Sequence, residues 1–203
     1  QITIIDYAPD LVRSVMKINI RFMVMNGRRL GLVHPGEMGS AMGRVLVEMG
    51  HRVLWASEGR STETRQRAEA AGLIDHFTLP EMVSRAEILL SICPPHAAAE
   101  VAREVVSFRF AGIYADCNAI SPRRTRLIEE VVVAGGGKYV DGGIIGGPPS
   151  EHSNPTLYLS GPAAKVVQEC FMSKRIQVEV LSSRIGAASA LKMAYAANSK
   201  GAS

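Results

Sequence analysis

Lys192 lies in the run Ile185-Gly186-Ala187-Ala188-Ser189-Ala190-Leu191-Lys192, near the start of an alanine-rich helix. Helical spacing puts Ala188, Tyr195, Ala196 and Ser199 on its face. An amine among small apolar groups loses hydration, so its pKa falls. Such an amine suits proton transfer to or from a hydroxyl. The same spacing also fits an exposed lysine on an amphipathic helix.

A second group of residues suits an anion. Arg29 to Val33 reads as a short buried strand. Met38, Ala41, Met42, Val45, Leu46 and Met49 then form one apolar helical stripe, with Gly50 as its stop. Between them lies His34-Pro35-Gly36-Glu37-Met38-Gly39. A strand, a tight turn and a helix in this order aim backbone N–H groups and the positive end of a helix dipole at an anion. The dinucleotide fingerprint is G-x-G-x-x-G. Here His34 stands in place of its first glycine, and Pro35 removes a peptide N–H. The cradle must therefore rest on the amides from Gly36 to Gly39. No Lys-Ser/Thr follows the turn, which disfavours a P-loop NTPase.

The end of the second strand, Arg52 to Ala56, bears on the choice of dinucleotide. An acid there binds a ribose 2′-OH, whereas arginine suits a 2′-phosphate. Glu58 argues for NAD. Ser57, Arg60, Ser61 and Arg65 form a phosphate cup that favours NADP. After the strand Ile88 to Ile92, Cys93-Pro94-Pro95-His96 can wall a nucleotide, although its prolines donate no N–H. His96 reads as a surface histidine at a helix start.

Composition narrows the classes. The chain has 203 residues, 47% hydrophobic and 21% charged, with a net charge of +4. The basic residues are scattered and aromatics are few, which argues against a nucleic-acid partner. Cys93, Cys117 and Cys170 form no C-x-x-C pair; a sparse, odd set argues against a disulfide framework or a metal site and fits a reducing cytoplasm. No apolar run is long enough to span a membrane. Residues 1–27 read as a poorly ordered N-terminal extension, because Met23 and Met25 stand just before the first strand.

The remaining elements follow from periodicity and breakers. Ser57 to Arg67 opens a helix that runs to Ala71. Helices are expected over Leu79 to Arg85, Ala97 to Val106 and, with Ser121 as cap and Pro122 at its first position, to about Ala134. Strands are expected at Ala111 to Ala115 and from Lys138 to Val140, the latter followed by a loop over Asp141 to Pro149. Thr156 to Leu159 and Val178 to Leu181 read as a hairpin-like pair joined by a helix. Alternating strands and helices predict an α/β, Rossmann-like, doubly wound and mostly parallel sheet. Val33–Gly39, Ser57–Arg60, Cys93–His96 and Asp116–Ser121 then fall at the carboxyl ends of strands, where such sheets bind ligands.

Taken together, the Gly31–Gly39 turn, Gly50-His51-x-Val53, Asp116-x-x-x-Ile120-Ser121-Pro122, the Asp141–Gly147 segment and Gly186 to Lys192 resemble, in order, the β-hydroxyacid dehydrogenase superfamily. This superfamily includes the 6-phosphogluconate and 3-hydroxyisobutyrate dehydrogenases, and the nearest subgroup carries an H-P-G-E-M-G turn. The resemblance covers about residues 29–203. It implies an NAD(P)-binding domain over 28–183 and the first part of a helical domain over 184–203, C-terminally truncated from a longer enzyme that works as a homodimer. It also implies hydride transfer between a nicotinamide and a small hydroxy acid or a related alcohol or carbonyl compound; the Ser57–Arg65 cup makes NADP the preferred cofactor over NAD. Lys192 would be the general acid/base, Gly146 and Gly147 would hold the substrate's acidic group, and Asn118 would lie by the nicotinamide.

Three residues depart from the family pattern. Ile145 replaces a serine, Ala196 replaces an asparagine with Tyr195 and Asn198 nearby, and His34 replaces a glycine. The first two remove polar groups from the substrate side. An imine or ketone reductase of the same architecture, or a cofactor-binding module without turnover, therefore stands beside the leading reading. Tyr195 is the next proton donor in line.

Overall fold

The computed structural model describes residues 27–200; the expected N-terminal extension lies outside them, apart from Gly27. The described residues form one eight-stranded sheet in the order β3-β2-β1-β4-β5-β6-β7-β8. The strands are β1 (Arg29–Val33), β2 (Arg52–Trp55), β3 (Ile74–Asp75), β4 (Ile88–Ser91), β5 (Ile113–Asp116), β6 (Lys138–Ile145), β7 (Thr156–Ser160) and β8 (Gln177–Ser182). The first six are parallel. Their order is the doubly wound one, which reverses direction between β1 and β4.

Alternation along each strand divides the core into two layers. Leu30, Leu32, Val53, Ile88, Leu90, Ala115 and Val140 face one side. There they meet α1 (Glu37–Glu48), α2 (Thr62–Ala70) and α6 (Ala164–Cys170). Leu54, Leu89, Tyr114 and Tyr139 face the other side. There they meet α3 (Leu79–Arg85), α4 (Ala98–Ser107) and α5 (Pro122–Ala134). Side-chain caps set the helix starts that matter here. Ser61 accepts from the Thr64 amide and Ser121 from the Arg124 amide, with Pro122 in the first turn. The Ser61 cap starts α2 at Thr62, which leaves Ser57–Arg60 as a loop at the end of β2 rather than a helical turn.

Two expectations are corrected. Asp141-Gly142-Gly143-Ile144-Ile145 is strand, not loop, and continues β6. Its glycines serve close approach, not a break. A Cβ on Gly142 would stand 3.0 Å from Cys117 Sγ, and one on Gly143 would stand 3.1 Å from Lys192 Cβ. The last two strands are not a hairpin either. β7 pairs antiparallel with β6, and β8 lies parallel to β7. The α6 crossover explains this, since a helix between two neighbouring strands returns the chain in the same direction. The two-residue β3 was too short to leave a periodic signal.

The final helix, α7 (Ala187–Lys200), lies across β6 and β7, with Ala188 fully buried. Among the described residues no helix is long and apolar enough to cross a membrane.

Candidate functional site

Strand register fixes the frame of the site. Val33 pairs with Ser91, Ser91 with Asp116, and Asp116 with Asp141. These four residues form a row across the carboxyl edge of the parallel sheet, spanning about 14 Å from Val33 to Asp141 at the usual strand spacing. β6 runs on beyond this row to Ile145.

At one end of the row the chain leaves β1 and turns sharply. His34 adopts φ 67°, a left-handed conformation that favours glycine. This is the physical reason the fingerprint has a glycine at this position. The Gly36 amide donates to the His34 carbonyl at 2.8 Å, so it is used inside the turn. Gly36 then caps α1 with no side-chain hydrogen bond, which leaves the amides of Glu37, Met38 and Gly39 facing outward from the helix start. A Cβ on Gly39 would stand 2.6 Å from the His34 carbonyl oxygen. Only glycine allows α1 to start this close to β1.

Beside the turn is a cleft of about 380 Å³. His34, Gly36, Glu37, Met38 and Gly39 line it from the turn, Arg60 from the β2 loop, and Cys93 and Pro94 from the β4 loop. Thr64 and Ile92 line it too and were not singled out by sequence. Thr64 is one helical turn past the loop, and its hydroxyl lies 3.3 Å from that of Ser61. Pro35 and Ser57 are not on the cleft wall; Ser57 is fully buried. Glu58 is exposed, its amide bonded to the Phe77 carbonyl.

The donor set fits a phosphorylated dinucleotide. His34 Nδ1 and Arg60 Nε, both on the cleft wall, are buried with no hydrogen-bond partner among the described residues, as is Ser57 Oγ. Such groups are costly unless something pairs with them. Burial, and then the charge of Arg60, lower the His34 pKa to about 4. The imidazole is therefore neutral at ordinary pH, and Arg60 supplies the cleft's positive charge.

Toward the middle of the row, Asn118 is buried and used as a brace. Its Oδ1 accepts from the Cys93 amide at 2.6 Å, and its Nδ2 donates to Ser91 Oγ at 3.1 Å and Asp116 Oδ1 at 2.7 Å. It joins the loops after β4 and β5. The thiol of Cys93 is pushed up chiefly by burial.

Asp116 is a buried carboxyl. Burial raises its pKa from 3.8 to about 6, against the hydrogen bonds from Asn118. A carboxyl raised in this way stabilises the fold below its unfolded pKa and loses that contribution as pH rises through about 6. Asp116→Asn keeps the Oδ1 acceptor and removes the buried charge. It is expected to stabilise the protein by about 1–3 kcal/mol at pH 7.5, with the advantage shrinking toward pH 4. Urea melts of both proteins at the two pH values check this.

At the far end of the row, Lys192 projects from α7 toward β6. Its Nζ donates to the Ile144 carbonyl at 2.5 Å. The side chain is half-buried, and burial lowers its pKa from that of a free amine. Gly146, at φ 116°, turns the chain away from β6, with Gly147 following next to Ser153. Tyr195, one turn beyond Lys192, is 49% exposed.

A doubly wound sheet, a glycine-bearing turn opening a helix at its switch point, and a cleft beside it that presents helix amides and Arg60 define a dinucleotide-binding domain. Comparison with known proteins agrees. Residues 29–173 match the family described as the NAD binding domain of 6-phosphogluconate dehydrogenase. The chain belongs to that family. It is 26% identical over 165 residues to an uncharacterized 28.5 kDa protein of Methanothermus fervidus, covering 81% of this chain and 62% of that one. It is 22% identical over 180 residues to the mitochondrial 3-hydroxyisobutyrate dehydrogenase of Drosophila melanogaster, covering 83% and 55%. The chain thus spans less than two thirds of the length of these curated relatives.

Among solved structures, a conserved protein of unknown function, described as structurally similar to 3-hydroxyacid dehydrogenases, superposes with a TM-score of 0.75 at 27% identity, covering 86% of this chain and 65% of that one. A variant imine reductase from Myxococcus stipitatus in complex with NAD+ has the same fold, with a TM-score of 0.71 at 21% identity and coverages of 87% and 62%.

Proposed function

We propose that the chain is the cofactor-binding part of an NAD(P)-dependent oxidoreductase acting on a small hydroxy acid or a related alcohol or carbonyl compound. One observation carries this reading. The amine of Lys192 is held on the Ile144 carbonyl at the same sheet edge that carries the phosphate cleft. When bound, the nicotinamide supplies the hydride donor or acceptor. The amides of Glu37, Met38 and Gly39 bind the diphosphate, and Asn118 keeps the Cys93 loop in place beside it. Lys192 Nζ takes the hydroxyl proton in oxidation and returns it in reduction. Burial lowers its pKa, which favours the neutral amine that accepts this proton. The backbone around Gly146 and Gly147 holds the substrate's acidic group. Residues 28–183 form the cofactor domain and 184–203 begin a helical domain, through which the whole enzyme forms a homodimer in the cytoplasm.

The cofactor is NADP in preference to NAD. Arg60 supports this, since it lines the cleft and its Nε is buried without a hydrogen-bond partner among the described residues. Arg60→Ala is expected to weaken NADPH binding roughly 10- to 100-fold, the loss of one charge-assisted hydrogen bond. NADH binding should change by about twofold or less, because NADH has no 2′-phosphate to meet Arg60. Separate titrations of the two cofactors check this, and an equal loss for both contradicts it.

A second reading has its own support. Ile145 follows the carbonyl that holds Lys192 and offers no hydroxyl to a substrate carboxylate. An imine or ketone substrate suits that apolar wall. Turnover of cyclic imines exceeding that of 3-hydroxy acids would favour it.

A further inference from the structure

The helix that carries Lys192 has no cap of its own. It starts after Gly186, at φ 98° and without a side chain. Its first amides are met instead from the sheet. Asp141 Oδ2 accepts from the Gly186 amide at 3.0 Å, from the Ser189 amide at 3.1 Å and from Ser160 Oγ at 2.8 Å. Asp141 Oδ1 accepts from Ser189 Oγ at 2.5 Å. Ser160 Oγ in turn accepts from the Ala188 amide at 3.2 Å. Ser189 Oγ also lies 2.7 Å from Thr125 Oγ1 on α5. All four side chains are essentially inaccessible to solvent.

A buried carboxylate at a helix N-terminus complements the helix dipole as well as its unpaired amides. Among the described residues Asp141 takes part in no ion pair. Helix amides and hydroxyls alone offset its charge. Ser189 and Lys192 are three residues apart, on adjacent turns of one face. The α7 backbone lies flush on β6, where Gly143 faces the Ala188 carbonyl and Lys192 Cβ. Height and rotation of the helix are thus set one turn below the amine.

We infer that Asp141 is the positioning residue for Lys192: it caps α7 from within the sheet and fixes where the helix presents the amine. The inference rests on the reading of Lys192 as the proton-transfer group. It also gives the Asp141-Gly142-Gly143 segment a role distinct from substrate binding, since its carboxylate and its missing Cβ atoms serve helix docking.

The test is competitive acetylation of the full chain with trace acetic anhydride across pH, read by mass spectrometry on the peptide containing Lys192. In the wild-type protein the midpoint should lie below the about 10.4 of a free lysine. In Asp141→Ala it should rise into the range of the protein's other lysines, while NADPH affinity stays within about twofold, because the phosphate cleft lies at the other end of the row. An unmoved midpoint in a folded variant overturns the inference. If circular dichroism shows Asp141→Ala unfolded, Ser189→Ala decides by the same midpoint, since it removes the hydroxyl shared by Asp141 and Thr125. The proton-transfer reading fails separately, if Lys192→Ala keeps full turnover. That result leaves the midpoint shift, and the positioning role, standing.

Discussion

Lys192→Ala is expected to lower kcat by roughly 10²- to 10⁴-fold, the usual contribution of one positioned acid/base. NADPH affinity should change by about twofold or less, because Lys192 sits across the row from the cleft. Lys192→Arg should fail almost as badly. A guanidinium stays protonated at any working pH, so it cannot accept the hydroxyl proton. The environment of the amine explains why lysine serves here. Burial lowers its pKa, and the Ile144 carbonyl, a neutral acceptor, holds it in place without restoring the full preference for charge that a carboxylate would give. Steady-state rates with NADP+ and a 3-hydroxy acid, over pH 6 to 10, provide the check. Rates in Lys192→Ala equal to wild type would transfer the role to another donor, with the exposed Tyr195 next to be tested.

The second large effect separates two glycines of one turn. Gly39→Val should disrupt both fold and binding, because its Cβ alone would stand 2.6 Å from the His34 carbonyl oxygen, which is backbone and cannot swing aside. Moving α1 off β1 to relieve the clash costs about 1–3 kcal/mol and displaces the amides of Glu37 to Gly39 together. Gly36→Ala should behave differently. A Cβ there meets no protein atom within 4 Å, and its φ of −68° suits any residue. The variant should melt within about 0.5 kcal/mol of wild type, yet bind NADPH at least about tenfold more weakly, because the new methyl stands where the cleft must admit phosphate. Thermal melts and cofactor titrations on both variants provide the check. Equal binding by Gly36→Ala and wild type would move the phosphates away from this turn.

The sequence displayed those features whose signal is local. The strand–turn–helix at Arg29 to Met49, the Ser121-Pro122 helix start and the four loops at strand ends stand where periodicity and capping chemistry put them. Lys192 and the glycine turn come to one edge because register in a parallel sheet carries that order across strands.

What was hidden depends on partners distant in sequence. Gly142 and Gly143 read as breakers, and only the approach of Cys117 and α7 shows why glycine is needed inside a strand. The pairing of β7 with β6 rather than β8 in antiparallel fashion depends on which neighbour is free once α6 has crossed over. The sequence places Asn118 by the nicotinamide and gives no sign of its other contacts. Three hydrogen bonds, to Ser91 on β4, Asp116 on β5 and Cys93 in the loop after β4, make it a brace, and no spacing rule encodes them. The capping role of Asp141 was hidden too, since its partners Ser160, Gly186 and Ser189 lie 19, 45 and 48 residues away.

Direct binding of a nicotinamide dinucleotide to the purified chain tests the central claim. NADPH fluorescence should rise and shift to the blue on adding protein, saturate with one site per chain, reverse on adding excess NADP+, and show tighter binding for NADPH than for NADH. No spectral change with either cofactor, up to millimolar concentrations of properly folded protein, would contradict the account.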